Sequence, residues 1–246
     1  MAFTLFATYS WTSHGYPPPI IAPIELTIHL RQVIWGSIVK VKKLAAHLQV
    51  DSYGDFRLTD AIRPSLDLQI IPMQGFRIET YRDQQNKLEV PVMAAAVSRE
   101  QLFDVFLALL EPLGEVVDVV LESSHHLVDN KHDDLHREQI ELPILMSHFC
   151  DYEDLLMHDG CTGVAVISTH EPMEVQFDEH KLLVVYAHDL EPFERILRQF
   201  GLLRDDKLKL ITEGEHLHST DERYADAFEQ LNYRLGTGAA AERVNW

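Results

Sequence analysis

The chain has 246 residues and carries 39 acidic against 21 basic side chains, a formal net charge of −18 at neutral pH. Such a negative surface repels phosphate groups, so the composition argues against binding to nucleic acid or to anionic membranes. With 46% hydrophobic and 24% charged residues, the chain is typical of globular proteins and not of disordered ones.

The cysteine content bears on the compartment. Two cysteines, Cys150 and Cys161, fit a reducing environment better than an oxidising one and are too few for a cysteine-only zinc site. No signal peptide and no membrane helix is predicted, because the N-terminus lacks a basic start and no apolar run approaches ~18 residues. We therefore expect a cytoplasmic protein whose partner is a small molecule or another protein.

The first 87 residues give the weakest structural signals. Four prolines and little charge in residues 1–24 predict an extended or disordered arm. Residues 25–87 are interpreted as a strand-rich segment. Within it, Asp67–Met73 and Phe76–Tyr81 are candidate strands, with a tight turn at Gln74 and Gly75.

From residue 88 the hydrophobic pattern becomes clear. An apolar strand, Val92–Val97, precedes a helix over residues 99–113, where Leu and Phe recur at helical spacing. Gly114 is expected to end this helix, and the valine-rich segment Val116–Leu121 predicts a second strand. The segment therefore forms a strand–helix–strand unit.

The same order of elements recurs further along the chain. Lys181–Ala187 and Lys207–Ile211 are predicted strands on either side of a helix over residues 190–200. Two such units predict an α+β domain over residues 88–235, with a ferredoxin-like sheet and both helices on one face. The alternative is a doubly wound α/β sheet, although no glycine-rich phosphate loop follows any strand.

An insertion over residues 123–180 separates the two units. Its pattern predicts a helix, Glu141–Met157, followed by a hairpin of Gly163–Ser168 and Glu174–Phe177. Residues 236–246 are expected to form a flexible tail.

His132 and His136 are the first candidate metal ligands. A helix over residues 131–139 would place them four residues apart on one face, the spacing at which two imidazoles reach one metal ion. Asp133 stands where zinc proteases of this pattern carry glutamate, which puts the general-base role in doubt. The alternative is a solvated polar loop.

The segment from His158 to Thr162 is the preferred single candidate site. Gly160 is expected to end the preceding helix in a left-handed turn, which puts Cys161 at a helix-to-strand corner. His158, Asp159 and Cys161 are candidate catalytic residues with an activated thiol, and Thr162 is a candidate ligand-binding residue. The alternative is a structural loop with a buried, inert cysteine.

Two further clusters contain histidine. Asp178 and His180 lie before a buried strand, where a carboxylate–histidine pair suits ligand binding or the support of a metal. His216 and His218 alternate along a strand, so one histidine from elsewhere would complete a metal-binding face. The alternatives are a charged turn and a solvated sheet edge.

No motif for nucleotide binding, calcium binding or serine hydrolysis occurs. The leading hypothesis is therefore a non-catalytic ligand-binding or protein-interaction module. A metal-dependent hydrolase that uses the histidine-rich insertion is the first alternative, and a cysteine-dependent enzyme that uses Cys161 is the second. The sequence requires no cofactor, and zinc or a similar divalent metal is the candidate.

Overall fold

The computed structural model describes residues 43–83, 88–125 and 133–239. It is 35% helical and 33% strand, which confirms a mixed α and β protein. The predicted arm over residues 1–24 lies outside the described residues, as does the tail beyond residue 239. None of the described helices is long and apolar enough to cross a membrane.

The elements are numbered along the described chain. The strands are β1 (Ser52–Tyr53), β2 (Phe56–Arg57), β3 (Ile62–Pro64), β4 (Gly75–Asp83), β5 (Leu88–Ala96), β6 (Val116–Ser123), β7 (Asp133–Glu141), β8 (Thr162–Ser168), β9 (Glu174–Phe177), β10 (Leu182–Tyr186), β11 (His216–His218) and β12 (Gly238–Ala239). The α-helices are α1 (residues 43–48), α2 (Arg99–Leu110), α3 (Leu142–Asp151), α4 (Glu153–His158), α5 (Glu191–Gln199) and α6 (Glu222–Leu235). Single 3-10 turns occupy Glu111–Leu113 and Ile211–Glu213.

One antiparallel sheet of eight strands organises the described chain, in the order β12–β7–β6–β8–β9–β10–β5–β4. The doubly wound alternative is therefore wrong, because that plan requires mostly parallel strands. Two short ribbons, β1–β2 and β3–β11, lie outside this sheet.

Helices cover one face of the sheet and bury its main core. Phe103 and Phe106 of α2 and Phe193 and Leu197 of α5 are all buried, as the helical spacing predicts. The Phe106 ring lies 5.0 Å from that of Phe177 on β9, which ties helix to sheet. Alternate residues of every central strand join this core, as expected when one sheet face is buried.

A smaller apolar cluster lies on the opposite face of the sheet, over the neighbouring strands β5 and β10. Ala96 and Leu182, which alternate with core-facing neighbours, belong to this cluster together with Phe56, Leu58 and Ile62. Leu208, Leu210 and Ile211 complete the cluster. Irregular segments and short strands cover this face where helices cover the other.

The predicted duplication is not confirmed at its last strand. Lys207–Ile211 is irregular and leads into a 3-10 turn, because its leucines pack into the small cluster without pairing to a strand. Asp67–Met73 is likewise no strand, and the sharp turn at Gln74 and Gly75 opens β4 without joining two strands. β5 and β6 are also separated by three strands, so the ferredoxin-like plan is not confirmed.

The predicted insertion is part of the main sheet. β7, β8 and β9 all pair within it, and the predicted hairpin of β8 and β9 is confirmed. The predicted single helix, Glu141–Met157, is two helices, α3 and α4, which meet at Tyr152 with a non-helical backbone.

Candidate functional site

Three connections meet at one end of the sheet. They are the segment after β6, the segment between α4 and β8, and the turn between β9 and β10. They meet because β6, β8, β9 and β10 are antiparallel neighbours. Ser123 lies opposite Thr162, and Phe177 lies opposite both Val164 and Leu183. This end of the sheet gathers most of the predicted site residues.

His180, His216 and His218 form a cluster at this end, which we call the histidine cluster. One ring nitrogen from each lies within 4.8 Å of those of the other two. The ring centroids are 4.8 to 5.1 Å apart. His180 comes from the β9–β10 turn, and the other two alternate along β11 as predicted.

A hydrogen bond orients each imidazole of the histidine cluster. Nδ1 of His180 lies 3.0 Å from Oδ2 of Asp178, Nδ1 of His216 lies 2.8 Å from the carbonyl of Gly214, and Nδ1 of His218 lies 2.7 Å from the carbonyl of Gly160. A carbonyl or carboxylate oxygen only accepts, so Nδ1 carries the proton and Nε2 keeps its lone pair. This is the tautomer in which Nε2 binds a metal ion.

The environments of the imidazoles differ. Burial lowers the pKa of His180, but its hydrogen bond to Asp178 and the charges of Asp178 and Glu179 raise it more, so the net pKa is raised. Burial lowers the pKa of His218, and the nearby His180 and His216 lower it further. The carboxylates beside His180 therefore favour its protonated form, whereas burial and the neighbouring imidazoles favour the neutral form of His218.

The β9–β10 turn holds His180 in place through its backbone. Oδ1 of Asp178 accepts from the backbone N–H of Leu182 at 2.8 Å, while Oδ2 accepts from His180. Lys181 has φ +61, a conformation that few non-glycine residues adopt. Its buried ammonium donates to the carbonyl of Thr162 at 2.8 Å, and burial lowers the pKa of Lys181 to about 8.

Asp159 is fully buried beside the histidine cluster and accepts three side-chain hydrogen bonds. The donors are Nε2 of His125 at 2.8 Å, Oγ1 of Thr162 at 2.5 Å and Oγ1 of Thr220 at 2.6 Å. Burial raises the pKa of Asp159, but these hydrogen bonds and the His125 charge outweigh it and leave the pKa lowered. Asp159 therefore joins three separate segments of the chain.

Gly160 is required for a reason other than the predicted one. It is not in the left-handed region, and Asp159 caps α4 with an extended backbone. A Cβ at Gly160 would lie 2.5 Å from the carbonyl oxygen of Ala61 and 2.8 Å from that of Ser219. Close approach of three backbones explains this glycine, and that approach brings β11 to the site.

The thiol of Cys161 is in an unfavourable environment for a nucleophile. Burial raises its pKa, and the nearby charges of Asp159 and Glu179 raise it further. Low-pKa cysteines occur beside cations or helix N-termini. The Lys181 ammonium is close enough to interact with Cys161, but it is bonded to the carbonyl of Thr162, and the pKa of the thiol is still raised. This environment counts against the activated-thiol hypothesis.

His158 points away from the role of a base for Cys161. Its Nδ1 accepts from the backbone N–H of Asp60 at 3.1 Å, so a neutral ring carries its proton on Nε2. Burial lowers the pKa of His158. It therefore presents a neutral N–H donor. His125, and not His158, is hydrogen-bonded to Asp159.

The predicted pair of His132 and His136 cannot be placed together. His132 lies outside the described residues. Residues 133–141 form strand β7, so the helix on which the metal hypothesis depends is wrong. His136 lies in that strand opposite Val120, and its Nε2 is buried without a hydrogen-bond partner among the described residues.

A cleft of about 680 Å³ opens beside the histidine cluster. His218 and His158 line it together with Thr220, Tyr224 and Arg63. Its volume lies in the range of small-molecule sites. A ligand in this cleft would lie against His218.

Comparison with family models, with curated proteins and with solved structures finds no match. The site must therefore be interpreted from its own geometry. His125 is not among the site residues predicted from the sequence. Its sequence signals are the histidine pair at positions 125 and 126, which opens the histidine-rich segment, and its position two residues after a buried strand.

Proposed function

We propose that this protein binds one divalent transition-metal ion of the zinc class through His180, His216 and His218. The observation that carries the proposal is the convergence of three imidazoles whose Nδ1 atoms are all held by acceptors. Zinc-ligating histidines commonly donate their second nitrogen to a carboxylate or carbonyl in this way. Imidazole ligands suit zinc, copper, iron and nickel.

The number of ligands supports a catalytic centre over a structural one. Structural zinc sites usually have four protein ligands, whereas catalytic sites have three and leave one position for water or substrate. His218 lines the cleft, so a small molecule bound there would lie next to the proposed centre. We infer that the protein is a metal-dependent hydrolase, the first alternative of the sequence analysis, with different ligands.

The neighbouring side chains support this chemistry. A zinc-class ion activates water and polarises a carbonyl or phosphoryl oxygen. His158 lines the same cleft with a neutral N–H donor, which suits stabilisation of a developing negative charge. Asp178 orients His180 and raises its basicity as a ligand.

The test is a zinc titration of chelator-treated protein by isothermal calorimetry. In the His216→Ala/His218→Ala variant, the zinc ion of the histidine cluster should bind more than about 100-fold more weakly than in wild type. This loss exceeds the one expected from removing a group that only orients a ligand. His188→Ala is the matched control, because His188 is exposed and follows β10, at the opposite end of that strand from His180. Circular dichroism establishes that each variant is folded.

Unchanged zinc binding by the folded double variant would refute the proposal, as would no zinc binding by the wild-type protein.

The proposed hydrolase activity is tested by a separate measurement. Zinc-loaded wild type should hydrolyse members of a panel of activated esters and phosphodiesters, and the double variant should not.

The other hypotheses stay predictions. A non-catalytic ligand-binding or interaction module would also use the cleft, and no family or structural relative informs that choice. A cytoplasmic location remains our proposal, supported by two cysteines that are both free thiols. A duplicated origin of the strand–helix–strand units also remains a proposal.

A further inference from the structure

The connection that carries Asp159 contains a second group of metal-ligating side chains. His125, Asp159 and Cys161 offer a nitrogen, an oxygen and a sulfur atom, all within 4.8 Å of one another. We propose that these three residues bind a second divalent cation of the zinc class. The proposal does not rest on the function of the histidine cluster, which shares none of these ligands.

The ligand atoms suit such an ion in kind, and small movements would bring them to its bonding distances. Zinc accepts imidazole, carboxylate and thiolate ligands at roughly 2.0–2.3 Å, so tetrahedral ligands lie roughly 3.3–3.8 Å apart. Nε2 of His125 and Oδ2 of Asp159 are 2.8 Å apart and share a proton. Replacing that proton by a cation requires them to separate by about half an ångström.

The local charge favours a cation. Asp159 is completely buried, and Glu179 reaches the same connection, where Ser124 donates to its carboxylate at 3.3 Å. The ammonium of Lys181 is already bonded to the carbonyl of Thr162. Two carboxylates beside a thiol oppose a free thiolate but stabilise a thiolate bound to a divalent ion. The same field that argues against a catalytic cysteine therefore argues for a metal ligand.

The ligands are held before any ion arrives. Oγ1 of Thr162 and Oγ1 of Thr220 both donate to Asp159, which restricts its carboxylate. The backbone N–H of Ser124 donates to the carbonyl of Cys161 at 2.9 Å and joins the segment of His125 to that of Cys161. Ligating carboxylates are commonly hydrogen-bonded in this manner. Without an ion, the group is only a buried His125–Asp159 pair with a neighbouring thiol.

Cobalt(II) distinguishes the two centres, because only the second contains sulfur. Titration of the full-length, metal-free protein should bind two equivalents, with a thiolate-to-cobalt absorption band in the near ultraviolet. Cys161→Ala should remove the band and one equivalent. Cys150→Ala is the matched control, since Cys150 is an exposed free thiol, and it should change neither.

Two further variants separate this proposal from the proposed function. His216→Ala/His218→Ala should lose one equivalent and keep the band. His125→Ala should keep the equivalent of the histidine cluster and weaken the band-forming site at least about tenfold.

Three outcomes would overturn the second site. They are the absence of the band in wild-type protein, its persistence in Cys161→Ala, and its loss in the His216→Ala/His218→Ala variant. The last result would show that Cys161 binds the ion of the histidine cluster. None of these outcomes prevents the histidine variants from testing the first proposal.

Discussion

The two faces of the main sheet are covered in different ways. On one face, α2, α5 and the other long helices bury large apolar side chains such as Phe106 and Phe193. On the other, at the β5–β10 end, short strands and irregular segments bury a smaller cluster and approach the histidines. The difference indicates that the helix face provides stability, whereas the loop-covered end positions polar groups.

The largest expected effect on stability comes from a substitution in the core beneath the helices. Phe106→Ala should lower the free energy of unfolding by about 3–5 kcal/mol, because it removes a fully buried ring between Phe149 and Phe177. Urea denaturation measures it, and zinc affinity of the folded variant should be unchanged. Tyr233→Ala, at an 88% exposed position, should change stability by less than about 0.5 kcal/mol. A loss below about 1 kcal/mol for Phe106→Ala would contradict the assignment of the core.

Gly160→Ala should affect both stability and the site. The added Cβ meets two backbone oxygens, so we expect a loss of about 1–3 kcal/mol in the free energy of unfolding. Zinc affinity should fall as well, because the carbonyl of Gly160 orients His218. Gly201→Ala is the control, because Gly201 has φ +79 and an added Cβ would meet no atom within 4 Å. It should leave zinc affinity unchanged. Equal zinc affinity in the Gly160→Ala and Gly201→Ala variants would show that Gly160 does not contribute to the site.

Asp178→Asn should weaken metal binding more than folding. Loss of the carboxylate that orients His180 should reduce zinc affinity roughly 10- to 100-fold, about 1.4–2.7 kcal/mol. Competition with a chromophoric chelator measures the affinity. Asp189→Asn is the matched control. Like Asp178, Asp189 accepts a hydrogen bond from a backbone N–H, that of Glu191, but Asp189 is exposed. Similar zinc affinities in the Asp178→Asn and Asp189→Asn variants would show that Asp178 does not support the proposed centre.

The smallest expected effect concerns pH and the loop-covered region. Glu213 pairs with Arg77 and Lys209, and although burial raises its pKa, these partners lower the pKa to about 2. Because the folded pKa lies below the unfolded one, this stabilisation is complete above about pH 4.5 and lost as the pH falls towards 2.

Glu213→Gln should therefore lower stability by about 1 kcal/mol at pH 7, with the difference vanishing near pH 2. Thermal melts between pH 2 and 7 measure this. Glu191→Gln, which disrupts a mostly exposed pair with Arg195, should show a smaller dependence on pH. A Glu213→Gln difference that does not change with pH would refute the pairing.

Local patterns predicted the regular part of the fold well. The spacing of Leu and Phe identified α2 and α5. Short apolar runs identified β6 and β10, and the predicted hairpin identified β8 and β9, within a few residues. They failed at the short segment Lys207–Ile211, where leucine alternates with lysine. Such a segment packs equally well as a strand or as an irregular chain, and only its neighbours decide between them.

The candidate site was predicted in parts but not as a whole. Alternation placed His216 and His218 on one face, and composition singled out Asp178 and His180. Nothing local indicates that the two pairs meet, because residues 180 and 216 are joined only through the course of the intervening chain. The same holds for His125 and Asp159, whose contact depends on the pairing of β6 with β8.

By itself the sequence determined the α and β content, the buried helix faces and the residue types available for metal binding. These properties follow from periodicity and side-chain chemistry, which act over a few residues. The tertiary structure alone decided which histidines converge, which aspartate orients them, and why position 160 must be glycine. Each of those depends on long-range antiparallel pairing, which brings segments distant in the chain to the same end of one sheet.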